Sequence, residues 1–177
     1  FAANLMKASA GPYAVTATYS GDVDYNASDN TAAPHSQPVT KADTSIAIST
    51  DNPDPSIEDQ PYDVTWSVSV VAPGSDVTGA PTGLVEVKDS EPTPNTCSNA
   101  VGDGATGCEL TSTIAMTQTL TASYAGDVDY NGSSSTESHE VSSADTSISV
   151  NSNINPQLLK GAVLFTATLT PDTAGGA

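Results

Sequence analysis

The chain has 177 residues, of which 21 are acidic and only four are Lys, with no Arg, giving a formal net charge of -17. So few cations cannot neutralise a run of phosphates or dock on an anionic lipid surface, which excludes nucleic acid as a partner. Its 37% of apolar residues fall in ordered alternating runs, which argues against a disordered chain despite the high charge.

In chain order, the start, "FAANLMKASAGPYAV", has neither a basic leader nor a long apolar run, so it is expected to be internal to a longer protein and not a signal peptide. Val15, Ala17 and Tyr19 then alternate with polar residues and predict a strand with one buried face. It ends in "YSGDVDYNAS" (Tyr19–Ser28), a turn in which Gly21 supplies positive φ and Asp22 can accept from turn amides. His35 follows on a last strand. "KADTSIAIS" (Lys41–Ser49) contains no Gly and reads as a short joint leading into a new strand.

Val64, Trp66, Val68 and Val70 alternate with Thr65, Ser67 and Ser69. Trp66, the largest apolar side chain, is the expected core anchor. Val85 and Val87 alternate with Glu86 and Lys88, which are expected on the wet face, and Leu120, Ala122 and Tyr124 form a further strand. It runs into "YAGDVDYNGS" (Tyr124–Ser133), 105 positions after its near-copy. His139 lies near the point equivalent to His35, and both are expected to be ordinary histidines on a partly exposed edge. "SADTSISVN" (Ser143–Asn151) repeats the joint at an offset of 102, and "GAVLFTATLTPD" (Gly161–Asp172) repeats "YDVTWSVSVVAP" (Tyr62–Pro73) at 99, with Phe165 facing Trp66.

Three blocks recurring in one order at a spacing near 100 residues mark a repeated domain. The expected division is residues 1–41, the C-terminal part of one unit; 42–142, a complete unit; and 143–177, the N-terminal part of a third. Period-two alternation without a helical period, broken by Pro, Gly, Asn and Asp, predicts an all-β chain of tandem immunoglobulin-like β-sandwiches.

The "DTSI" start, "PTGLVEVKD" (Pro81–Asp89) and "YSGDVDYNAS" after "AVTAT" resemble the bacterial Ig-like repeat domains found in tandem in large surface proteins and adhesins. The resemblance spans the whole chain. It implies an extracellular, stalk-like or adhesive role at the cell surface without catalysis, with neighbouring repeats or identical subunits as partners and no insertion of this segment into the membrane.

Cys97 and Cys108 bound "CSNAVGDGATGC", which reads as a loop between two adjacent strands. A disulfide between them is expected and implies an oxidising compartment. Asp22, Asp24 and Asn26, and again Asp127, Asp129 and Asn131, place oxygens at alternate positions as in the first half of a calcium loop, but neither copy has a Glu at the twelfth position. A purely structural turn is the favoured reading, with no cofactor required and calcium at the joints as the alternative. Asn26-Ala27-Ser28 and Asn131-Gly132-Ser133 are N-glycosylation acceptor patterns, of a kind common by chance in a Ser/Thr-rich chain. No nucleophile elbow, metalloprotease helix or phosphate-cradling loop occurs, so no enzyme is expected. The leading expectation is a structural stalk. The alternatives are a ligand-binding adhesin module and a fibre subunit that polymerises by strand complementation of its half domains.

Overall fold

The computed structural model describes residues 6–9, 11–77, 79–101 and 107–171, and every regular element among them is a strand. Among these residues no helix is long and apolar enough to cross a membrane. The outermost expected boundaries, Phe1 and Ala177, lie outside the described residues.

The N-terminal segment holds four short strands, β1 (Tyr13–Val15), β2 (Thr18–Tyr19), β3 (Ser28–Asp29) and β4 (His35–Gln37). They form two antiparallel pairs, β1 with β4 and β2 with β3. Eight strands follow: β5 (Thr44–Asn52), β6 (Ser56–Ile57), β7 (Pro61–Val70), β8 (Leu84–Lys88), β9 (Thr96–Ala100), β10 (Gly107–Thr111), β11 (Thr117–Tyr124) and β12 (Ser133–Ser142). The C-terminal segment is one antiparallel pair, β13 (Thr146–Ser152) and β14 (Phe165–Pro171).

The eight central strands make two sheets, one in the order β10-β7-β5 and one in the order β6-β12-β11-β8-β9. The alternation predicts their inner faces. Tyr62, Val64 and Trp66 of β7 are buried with Ile46 of β5 and Leu110 of β10, against Val85, Val87, Leu120, Ala122 and Tyr124 of the other sheet. Glu86 and Lys88 face solvent, as their register requires. Each large side chain removed from water in this way contributes roughly 1.5–3 kcal/mol. The corresponding side chains of the terminal pair remain open: Ile148, Val150, Phe165 and Leu169 are all exposed. Phe165 matches Trp66 in sequence, but among the described residues no second sheet covers it.

One end of the central core is polar, and its groups are satisfied. Ser112 Oγ donates to Asp89 Oδ2 at 2.9 Å and pairs with the Tyr62 hydroxyl at 2.8 Å. Buried Glu91 accepts from the amides of Thr113 and Ile114 and from the Thr113 hydroxyl. Buried polar oxygens need such donors, and both acids find theirs in turn amides and hydroxyls, closing the turns from within.

The cysteine-bearing strands are consecutive, as expected, and lie at the edges of different sheets, β9 of the five-stranded one and β10 of the three-stranded one. The expectation for the histidines needs correction. His139 is not a partly exposed edge residue but fully buried, stacked on the Tyr62 ring at 3.9 Å. Nor are the histidines equivalent. β1 pairs Tyr13 with Gln37, whereas β11 pairs Gln118 with His139, so Gln37 holds the register that His139 holds in the longer sheet.

Candidate functional site

The duplicated loop is built the same way twice. Gly21 and Gly126 have φ of 77° and 84°. A Cβ at Gly126 would meet Tyr130 O at 2.7 Å, so both the conformation and the space select glycine. The next residue is the organiser. Asp22 Oδ1 accepts from the amides of Asp24 and Tyr25, both at 2.9 Å. Asp127 Oδ1 accepts from the amides of Asp129 at 2.8 Å and Tyr130 at 2.9 Å. These Asx contacts close the turn without help from the rest of the fold.

The copies differ in what lies beyond the turn. In the first, the Tyr19 hydroxyl donates to Asp22 Oδ2 at 2.6 Å, and Tyr25 is 70% exposed. In the second, Thr82 takes that position, donating its amide and hydroxyl to Asp127 Oδ2 at 2.8 Å each. The Tyr124 hydroxyl then donates to Thr82 O at 2.8 Å instead. Tyr130 is only 4% exposed, and its hydroxyl donates to Ser75 O and Gly79 O, tying the loop to the turn after β7.

The electrostatics follow this geometry. The Tyr19 hydrogen bond, aided by the Asp24 amide, lowers the Asp22 carboxyl below its ordinary value and outweighs partial desolvation. Burial works against the charge of Asp127, but the Thr82 amide and hydroxyl and the two turn amides together hold its carboxyl below the ordinary 3.8. Burial, with the nearby Asp127 charge, pushes the Tyr124 hydroxyl up to about 12.

The second copy also grips residues 41–44. Ala42 N donates to Asp129 O at 3.0 Å, and Asn131 N donates back to Ala42 O at 2.8 Å, so Ala42 and Tyr130 form a parallel bridge. Asn131 Nδ2 donates to Asp43 Oδ1 at 2.8 Å, Thr44 Oγ1 donates to Asn131 O at 2.8 Å, and Lys41 Nζ donates to Asp127 O. An earlier segment is held too: Ala8 N donates to Asp129 Oδ1 at 3.0 Å, with Lys7 Nζ 3.8 Å from Oδ2. A single loop thus contacts both residues 41–44 and the earlier segment at Lys7 and Ala8.

Four of the six calcium candidates, Asp22, Asp127, Asp129 and Asn131, are engaged in these contacts. Asp127 has both oxygens engaged by amides and a hydroxyl, Asp129 faces Ala8 and Lys7, and Asn131 faces Asp43. Asp22 is engaged in its turn, while Asp24 and Asn26 lie exposed beside it. Among the described residues, the His, Cys, Asp and Glu side chains whose ligand atoms gather as a group of three are Asp51, Asp54 and His139, which the sequence reading did not connect. The glycosylation candidates Asn26 and Asn131 are both exposed.

Cys97 and Cys108 form a disulfide with Cα atoms 5.9 Å apart. It bridges the neighbouring edges of the two sheets, where Asn99 Nδ2 also donates to Gly107 O at 2.9 Å. The Gly-rich residues 102–106 between them lie outside the described residues. A disulfide of this kind points to an oxidising compartment. The chain matches no protein-family model, and no curated protein matches it.

Proposed function

We propose that the chain is a non-catalytic spacer: a run of tandem immunoglobulin-like domains, divided as 1–41, 42–142 and 143–177, in an extracellular stalk at a cell surface. The grip of the Asp127–Asn131 loop on residues 41–44 and on Ala8 carries this reading. A loop that only capped its own unit would have no use for contacts on both sides of a joint. A spacer needs them, because a joint held by several hydrogen bonds resists bending where a free linker swings. The repeat of the same loop at Tyr19–Ser28 extends the scheme to the preceding joint.

The disulfide supports the location, since thiols stay reduced in the cytosol. Ser- and Thr-rich outer faces with a charge of -17 keep neighbouring stalks from adhering.

The test is small-angle scattering of a chain carrying two complete units, alongside its Asp129→Ala variant. An elongated particle with a defined joint, more flexible in the variant, is expected. A compact particle, or equal flexibility in both, overturns the proposal.

A further inference from the structure

Asp51, Asp54 and His139 reach one point from three separate parts of the chain. Asp51 lies on β5, Asp54 in the crossover to β6, and His139 on β12 of the opposite sheet. His139 Nδ1 lies 3.0 Å from Asp51 Oδ2 and 3.6 Å from Asp54 Oδ1, and the three ligand atoms all fall within 4.8 Å of one another. We propose that these residues form a structural metal site for a divalent first-row ion, with Zn²⁺ the best match, which clamps the two sheets at the edge opposite the disulfide.

The spacing fits the ion. Ligands about 2.0 Å from a tetrahedral Zn²⁺ stand about 3.3 Å from each other, and the two measured separations bracket that value. One imidazole nitrogen with two carboxylate oxygens is a borderline donor set that suits Zn²⁺ and its neighbours, whereas Ca²⁺ takes six to eight oxygens. The charges balance as well, two carboxylates against a dication.

The imidazole is prepared for the role. Its side chain is 0% exposed, its ring is stacked on Tyr62 with an interplanar angle of 17°, and Nε2 is 2.9 Å from Ser56 Oγ. Without an ion, Nδ1–H donates to Asp51 Oδ2; an ion is held by the other tautomer, with the ring proton on Nε2 donated to Ser56 Oγ and the Nδ1 lone pair turned to the metal. Asp54 is held from behind by the Glu140 amide at 2.9 Å. Its side chain is 40% exposed, leaving an entry path and a position for water.

The place in the fold gives the site a purpose. The disulfide closes the β9 and β10 edges, while at the other edge β5 and β12 belong to different sheets. An ion there would join the sheets just before the chain leaves β12 for the next joint. The repeated fold does not itself demand this group, since Gln37 occupies the matching register in the N-terminal segment.

The experiment is calorimetric titration of the full chain with ZnCl₂ in millimolar CaCl₂, which occupies the many exposed carboxylates. One Zn²⁺ per chain is expected, with affinity at least tenfold weaker in Asp54→Asn and tenfold to a hundredfold weaker in Ser56→Ala. Both positions can be changed without emptying the core, and histidine NMR reads the ligated nitrogen directly. Nδ1 ligation of His139 is the expected signature. No saturable binding, or binding equally strong in both variants, overturns the site and leaves His139 as a buried partner of two aspartates.

Discussion

Asp127 accepts the amide and the hydroxyl of Thr82 through one carboxylate oxygen, each at 2.8 Å, across 45 residues of sequence. The other oxygen closes the turn with the amides of Asp129 and Tyr130. A single side chain therefore holds the loop shut and fastens it to the strand entry at Thr82.

Asp127→Ala is expected to lower stability by about 1–2 kcal/mol, because several amides lose a charged acceptor near the surface. The effect depends on pH with a definite sign. The folded carboxyl is held below the ordinary 3.8, so its contribution is fully present above that value and is lost as pH falls through the depressed one. Urea midpoints should separate wild type from variant at pH 7 and converge in strong acid. A gap that persists unchanged into acid would assign the loss to something other than the charge.

Replacing Cys97 and Cys108 together by Ser is expected to cost about 3 kcal/mol, the loop-closure value for a link of this short span. The inner faces of the sheets remain apolar without it, so the variant should fold and keep its β-rich far-ultraviolet spectrum. Guanidinium midpoints under identical buffer conditions measure the difference, and equal midpoints would mean that β9 and β10 are already held together by their other contacts.

Tyr124 sets an alkaline limit. Its hydroxyl, raised by burial to about 12 from an ordinary 10.0, stays neutral in the fold while the unfolded chain ionises. Its contribution is complete below pH 10.0 and is lost between there and about pH 12. Melting temperatures followed over that range should fall less steeply in Tyr124→Phe than in wild type. Parallel curves would show that the Tyr124 proton does not govern the loss.

Much of the architecture was legible in the residues themselves. Strand faces follow from a period of two, because successive side chains on a pleated backbone must point to opposite sides. Val64, Trp66, Val85, Val87, Leu120 and Tyr124 lie buried for that reason. Gly21 and Gly126 announce their turns through a conformation that other residues resist, and the aspartate after each finds its amides two and three residues on. Such contacts are local, and local sequence contains them.

What tertiary structure alone decided is which distant groups meet. Alternation tells which side of a strand is wet but not which sheet it joins, so the residues around Cys97 and Cys108 do not show that their disulfide bridges two sheets. Thr82 carries no mark of its bond to Asp127, and nothing in "TESHEV" shows that His139 is enclosed by Tyr62, Ser56 and Asp51. Those partners are chosen when two sheets close on one core, and closure depends on the whole chain. The two copies of the loop make the point within one molecule: Tyr25 and Tyr130 share a local sequence, and only Tyr130, which has the turn after β7 to pack on, is buried.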